Sequence, residues 1–125
     1  MTVGMATSHA NGVLNLFRGT NYTGVTVYMK LHTGDPGAAG TANASGVTTR
    51  NAVTFAAADA GSMALSSISD YSMTGSETIS HVSFWDADTA GNFKQSAALT
   101  SSVPVVNGTT LTFTTITLDY TPIAA

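Results

Sequence analysis

Between residues 25 and 32, apolar Val25, Val27, Met29 and Leu31 alternate with Thr26, Tyr28, Lys30 and His32. This is the period-two pattern of a strand with one buried face, and His32, on its polar side, reads as a solvated or hydrogen-bonded, half-buried residue. Upstream, Ala10, Val13, Leu14 and Phe17 fall at i, i+3, i+4 and i+7, which predicts one short amphipathic helix over residues 8–18, with Ser8 as N-cap and Gly19 as stop. Gly12 inside it costs about 1 kcal/mol relative to Ala, so the helix needs a partner surface. The expected partner is the protein's own sheet; the alternative is another subunit.

Residues 34–46 (GDPGAAGTANASG) have no periodicity and are rich in turn formers, so they read as a long exposed loop, mobile or used for contacts. Residues 47–55 are β-prone, 56–61 form a small-residue linker able to make a helical turn, and Met63, Leu65 and Ile68 suggest a strand broken near Ser66 and Ser67. Three β-rich runs follow, Thr78 to Asp86, Phe93 to Thr100 and Leu111 to Asp119, separated by the turn signals at 88–92 and Asn107-Gly108. In the last run both faces mix Thr with apolar residues, which predicts contact on both sides. Short strands with no long helix add up to an all-β, antiparallel sandwich or jelly-roll-like domain carrying one short N-terminal helix. A chain of 125 residues is expected to form a single domain around one core.

Composition sharpens this picture. Charged residues are 9% of the chain, against roughly 25% in ordinary soluble domains. A neutral polar surface supplies little repulsion between copies, so association is expected. The four basic residues Arg18, Lys30, Arg50 and Lys94 are scattered, which disfavours nucleic-acid binding. No apolar run approaches the eighteen or so residues of a membrane span, and the start lacks the pattern of a signal peptide. The protein is therefore expected to be soluble and made in the cytoplasm. The absence of cysteine removes disulfides and thiolate chemistry.

Candidate chemistry is sparse. No Gly-x-Ser-x-Gly element occurs, and His9, His32 and His81 show no metal-ligand spacing. Residues 86–92 (DADTAGN) echo a calcium loop, but position 5 is Ala90 and position 12 is Ala97, so a plain hairpin turn is expected. Gly34-Asp35-Pro36-Gly37 reads as a Pro-initiated turn. No catalytic residue, metal or cofactor is expected. Trp85 lies on the opposite face from Val82 and Phe84, so it is expected to point away from the core, towards another sheet or a neighbour, with a sugar-stacking platform as the lesser alternative.

Four segments taken together resemble a family. They are residues 27–37 (VYMKLHTGDPG), Ser45-Gly46 leading through Arg50 to residues 52–55 (AVTF), residues 81–87 (HVSFWDA) with Gly91-Asn92, and residues 108–113 (GTTLTF) with Thr117-Leu118-Asp119. In this order they resemble small virion proteins of tailed phages, commonly labelled tail-fibre proteins. Thr48-Thr49 stand where those proteins carry an aromatic and Ala, and Pro104 sits later than their usual proline. The resemblance implies a non-enzymatic structural protein on the outside of the particle, as head decoration, head fibre, or tail or collar fibre. It implies localisation in the virion after synthesis in the bacterial cytoplasm. The expected partners are the chain itself, as a symmetric homo-oligomer with a trimer preferred, and a larger phage protein such as the major capsid or a tail protein. Neither nucleic acid nor membrane is among them. Phe17, Tyr28, Arg50 and Trp85 are the contact candidates, together with the helix and the loop over 34–46. A host-glycan-binding module using Trp85 and Tyr28 is the competing expectation.

Overall fold

The computed structural model describes residues 2–120 and 124. Helix α1 (Thr7–Asn15) runs into a 3-10 turn (Leu16–Arg18), and strands β1 (Val27–His32), β2 (Asn51–Phe55), β3 (Ser62–Ile68), β4 (Tyr71–Ser72), β5 (Glu77–Trp85), β6 (Phe93–Val105), β7 (Thr110–Leu111) and β8 (Thr117–Asp119) follow. Six strands make one antiparallel sheet in the order β6-β5-β1-β2-β3-β8, and β4 with β7 makes a second, small one. The large sheet curls, because β6 and the 113–118 segment at its far end line one common cavity over Met29 and Phe84. The result is the expected all-β, sandwich-like fold.

β1 sits at the centre, with Tyr28 opposite Trp85, Lys30 opposite Ser83, and His32 opposite His81. Opposed residues share a face, so Met29, Leu31, Val82 and Phe84 point to the core while Tyr28, His32, Ser83 and Trp85 point the other way. The small sheet closes the core: Tyr71, Met73 and Leu111 are buried against Met29, Leu31 and Ile79. The Tyr71 hydroxyl donates to the Met29 carbonyl at 2.5 Å, and burial pushes its pKa well above the ordinary phenolic value.

Several local expectations change. Ser8 lies inside α1, which starts after Ala6 without a side-chain cap; the segment ahead of it is already tied to β6, through Ser96 N–H to Gly4 O and Ala6 N–H to Lys94 O, both 2.8 Å. Gly19 does end the helical stretch, at φ 77°. The 56–61 linker forms a tight hairpin turn, with Ala60 and Gly61 both at positive φ and reciprocal Asp59–Ser62 bonds, the geometry that suits the twist of paired strands. The break near Ser66 is a bulge: Thr54 pairs with Ser67 and Phe55 with Leu65, leaving Ser66 over. The run from Leu111 to Asp119 is split between the two sheets, since neither of its faces is uniformly apolar. Residues 34–46 are less exposed than expected, with Pro36, Gly37, Gly40 and Ser45 buried.

Candidate functional site

The loop over 34–46 folds back beside β1. Thr33 N–H donates to Asn43 O at 2.8 Å and Ser45 N–H to Leu31 O at 3.1 Å, which continues the sheet where β2 has ended. Within the loop the Asp35 carboxylate accepts Gly37 N–H at 2.7 Å, and Asn43 Nδ2 donates to Asp35 O at 2.9 Å. Gly40, at φ +73°, lies so close to Phe93 that a Cβ would meet the ring at 2.5 Å. The loop thus forms a cover over the side of the sheet that faces away from the core.

Beneath it runs a directed chain of hydrogen bonds. Trp85 Nε1 donates to Ser83 Oγ at 2.8 Å, Ser83 Oγ stands 2.7 Å from His32 Nε2, and His32 Nδ1 stands 2.8 Å from Ala42 O. A carbonyl only accepts, so Nδ1 carries the imidazole proton; Nε2 is then the acceptor and Ser83 donates to it. Burial, with smaller contributions from Lys30 and His81, holds the His32 pKa below its ordinary 6.5 against the opposing bonds to Ala42 and Asn43, which keeps this neutral tautomer. A serine hydroxyl on a histidine nitrogen has the spacing of a nucleophile and its base. Here both side chains are 0% exposed, and Ser83 Oγ is already occupied by the indole N–H, so a substrate has no access to it.

Trp85 is 6% exposed. The Arg50 guanidinium lies 3.9 Å over its ring, and Arg50 Nη1 donates to Ala87 O at 3.0 Å and Ala90 O at 2.6 Å. Phe93 packs on the indole at 5.5 Å between centroids. Arg50 therefore clamps the 86–92 turn onto the sheet while stacking on the indole. That turn is also closed by Asp86, whose carboxylate accepts Asn92 N–H at 2.6 Å and Asn92 Nδ2 at 2.9 Å and pairs with Lys94 at 3.4 Å. These Asn92 bonds, aided by Lys94, hold the Asp86 pKa below the usual carboxylate value.

The N-terminal element contrasts with this cover. Gly12 admits the Tyr22 ring, which a Cβ would meet at 2.7 Å, so the glycine that weakens the helix also seats it. Tyr22 Oη receives a bond from Lys94 Nζ at 3.2 Å, which leaves its own proton for His9 Nδ1 at 2.9 Å. Beyond this anchor the helix projects: no residue of α1 is buried, and Leu14, Leu16 and Phe17 are 64%, 52% and 93% exposed. Of the four contact candidates, Phe17 is thus open to solvent, Tyr28 and Arg50 are half-buried, and Trp85 is enclosed by its own chain. Sequence reasoning missed His32, Ser83 and the Arg50–Trp85 stack as one unit; the positive-φ turn glycines Gly37 and Gly40 were the available sign that the loop is compact.

Compared with known proteins, residues 4–121 match the family model described as Podophage GP4 fiber I protein gp80. No curated protein matches the chain.

Proposed function

The chain belongs to the family of podophage GP4 fiber I protein gp80, which makes it a phage virion fibre structural protein, and from that premise we propose that it works by association alone. Copies join into a symmetric homo-oligomer attached to a larger phage structural protein on the outside of the particle, without catalysing a reaction. The observation that carries this reading is the apolar end of the N-terminal element, where Leu14, Leu16 and Phe17 stand in solvent. Burying one such side chain stabilises a contact by about 1.5–3 kcal/mol, and nothing in the described chain covers them. The glycan-platform alternative loses its main support, since Arg50 already occupies the Trp85 ring face.

The test is electron cryomicroscopy of intact virions, of the wild type and of a phage carrying Phe17→Asp. The expected result is density for this chain on the outer surface of the wild-type particle and its loss in the variant. The position of that density identifies head, neck or tail. Absence of the chain from wild-type particles overturns the proposal.

A further inference from the structure

A cavity of about 450 Å³ opens between the N-terminal segment, the start of β1, the β2–β3 hairpin and β8. Its apolar lining comes from Val25, Val27, Phe55, Met63, Phe84 and Leu118. That volume falls within the roughly 300–1,000 Å³ of pockets that enclose a compact apolar ligand. Lys94, the cation among its lining residues, is already paired with Asp86 at 3.4 Å. The same chain therefore carries an apolar hole and, elsewhere, an apolar knob of exposed Leu14, Leu16 and Phe17.

Charge follows the same division. Next to Phe17 stands Arg18, exposed and, among the described residues, in no ion pair. Arg50 and Lys94 are bonded within the chain, and Lys30 is half-buried beside Arg50. Beside the hole stand two exposed carboxylates. Asp59 adjoins the lining residue Ala58 and is bonded to Ser62 through the hairpin turn, and Ser62 is the register partner of Asp119.

We propose that the knob of one copy seats in the hole of the next, with Phe17 entering the apolar cavity and Arg18 meeting Asp59 and Asp119 on its rim. This rests on the self-association proposed above and names its two surfaces. Because knob and hole are different patches, the contact is heterologous: each copy gives one and receives one, and the chain of contacts closes into a ring when the rotation per copy allows it.

The protein has no cysteine, so cross-linking pairs can be placed freely. The experiment mixes Phe17→Cys chains with Val25→Cys chains under mild oxidation and measures the oligomer mass in parallel. The expected product is a mixed disulfide between the two variants, in excess over either self-linked dimer. Arg18→Asp is expected to weaken association about tenfold at low salt, and Asp59→Arg in the same chain to restore it. Preferential linking of Phe17→Cys to itself overturns the inference in favour of a like-with-like helix contact. A wild-type oligomer that yields no mixed disulfide also overturns it while leaving self-association intact. A protein that stays monomeric at every concentration removes both.

Discussion

Around Trp85 the polar groups are answered from within the chain, whereas at the end of α1 the apolar groups are answered by nothing in it. On the first side, Ser83 bonds His32 and Trp85, Arg50 takes up the turn carbonyls of Ala87 and Ala90 and Asp86 is answered by Asn92 and Lys94, and among the described residues no buried side-chain nitrogen or oxygen lacks a partner. On the second, a nine-residue helix is tied down at Gly4–Ala6 and Tyr22 and left open at Leu14, Leu16 and Phe17. A short helix has little stability of its own, so its exposed end is a poor investment unless another surface covers it. On the reading proposed above, the first region holds the fold together and the second is the one that joins it to another copy. Substitutions in the two regions should then fail in different ways.

The largest loss of stability is expected from Trp85→Ala, which opens a cavity and removes the support under Arg50. It should cost about 3–5 kcal/mol, read from the urea midpoint. Ser83→Ala comes next, at about 2 kcal/mol, because it strands a buried indole N–H and an imidazole nitrogen together; a loss below about 0.5 kcal/mol would show that the hydrogen-bond chain contributes little. Gly91→Ala should cost about 1–2 kcal/mol, since the position has φ +72° and a Cβ would meet Asp86 Oδ1 at 2.5 Å.

A pH profile gives a subtler test of the same region. The His32 pKa is held below 6.5 chiefly by burial, so as pH falls past 6.5 the unfolded chain takes up a proton that the folded chain refuses. Stability should therefore be full above that value and decline as pH drops towards the folded pKa. His9 is shifted in the same direction by burial and by Lys94, so the profile is compared with that of His9→Ala, which should keep most of the slope. Asp86, with a lowered pKa, acts only in a more acid window, below about pH 4. A flat urea midpoint between about pH 7.5 and 5.5 would contradict the buried neutral His32.

What was legible in the sequence was what repeats locally. The alternation in β1 correctly put Met29 and Leu31 in the core, and the spacing of Val82 and Phe84 correctly turned Trp85 away from it. The doubled Ser66-Ser67 correctly marked an irregularity. What escaped depends on residues far apart in the chain. The alternation of one strand leaves His32 solvated or hydrogen-bonded and half-buried; its full burial comes from a second cover, the loop returning from Ala42 to Ser45. Arg50 meets Trp85 across β1, through a register that no local pattern encodes. Residues 56–61 were misread because Ala favours helix, while Ala60 and Gly61 are held at positive φ by the strands on either side.

The smallest effect on stability and the largest on association is expected from Phe17→Asp. The ring is 93% exposed, so the substitution should change folding stability by no more than about 0.5 kcal/mol. The most direct measurement is sedimentation equilibrium of wild type and Phe17→Asp at matched concentrations, with urea unfolding of both. The account predicts an oligomer for the wild type and a monomer for the variant with an unchanged unfolding midpoint. Equal masses for the two proteins, or a variant that unfolds markedly more easily, would contradict the division between a self-contained sheet and a helix built for contact.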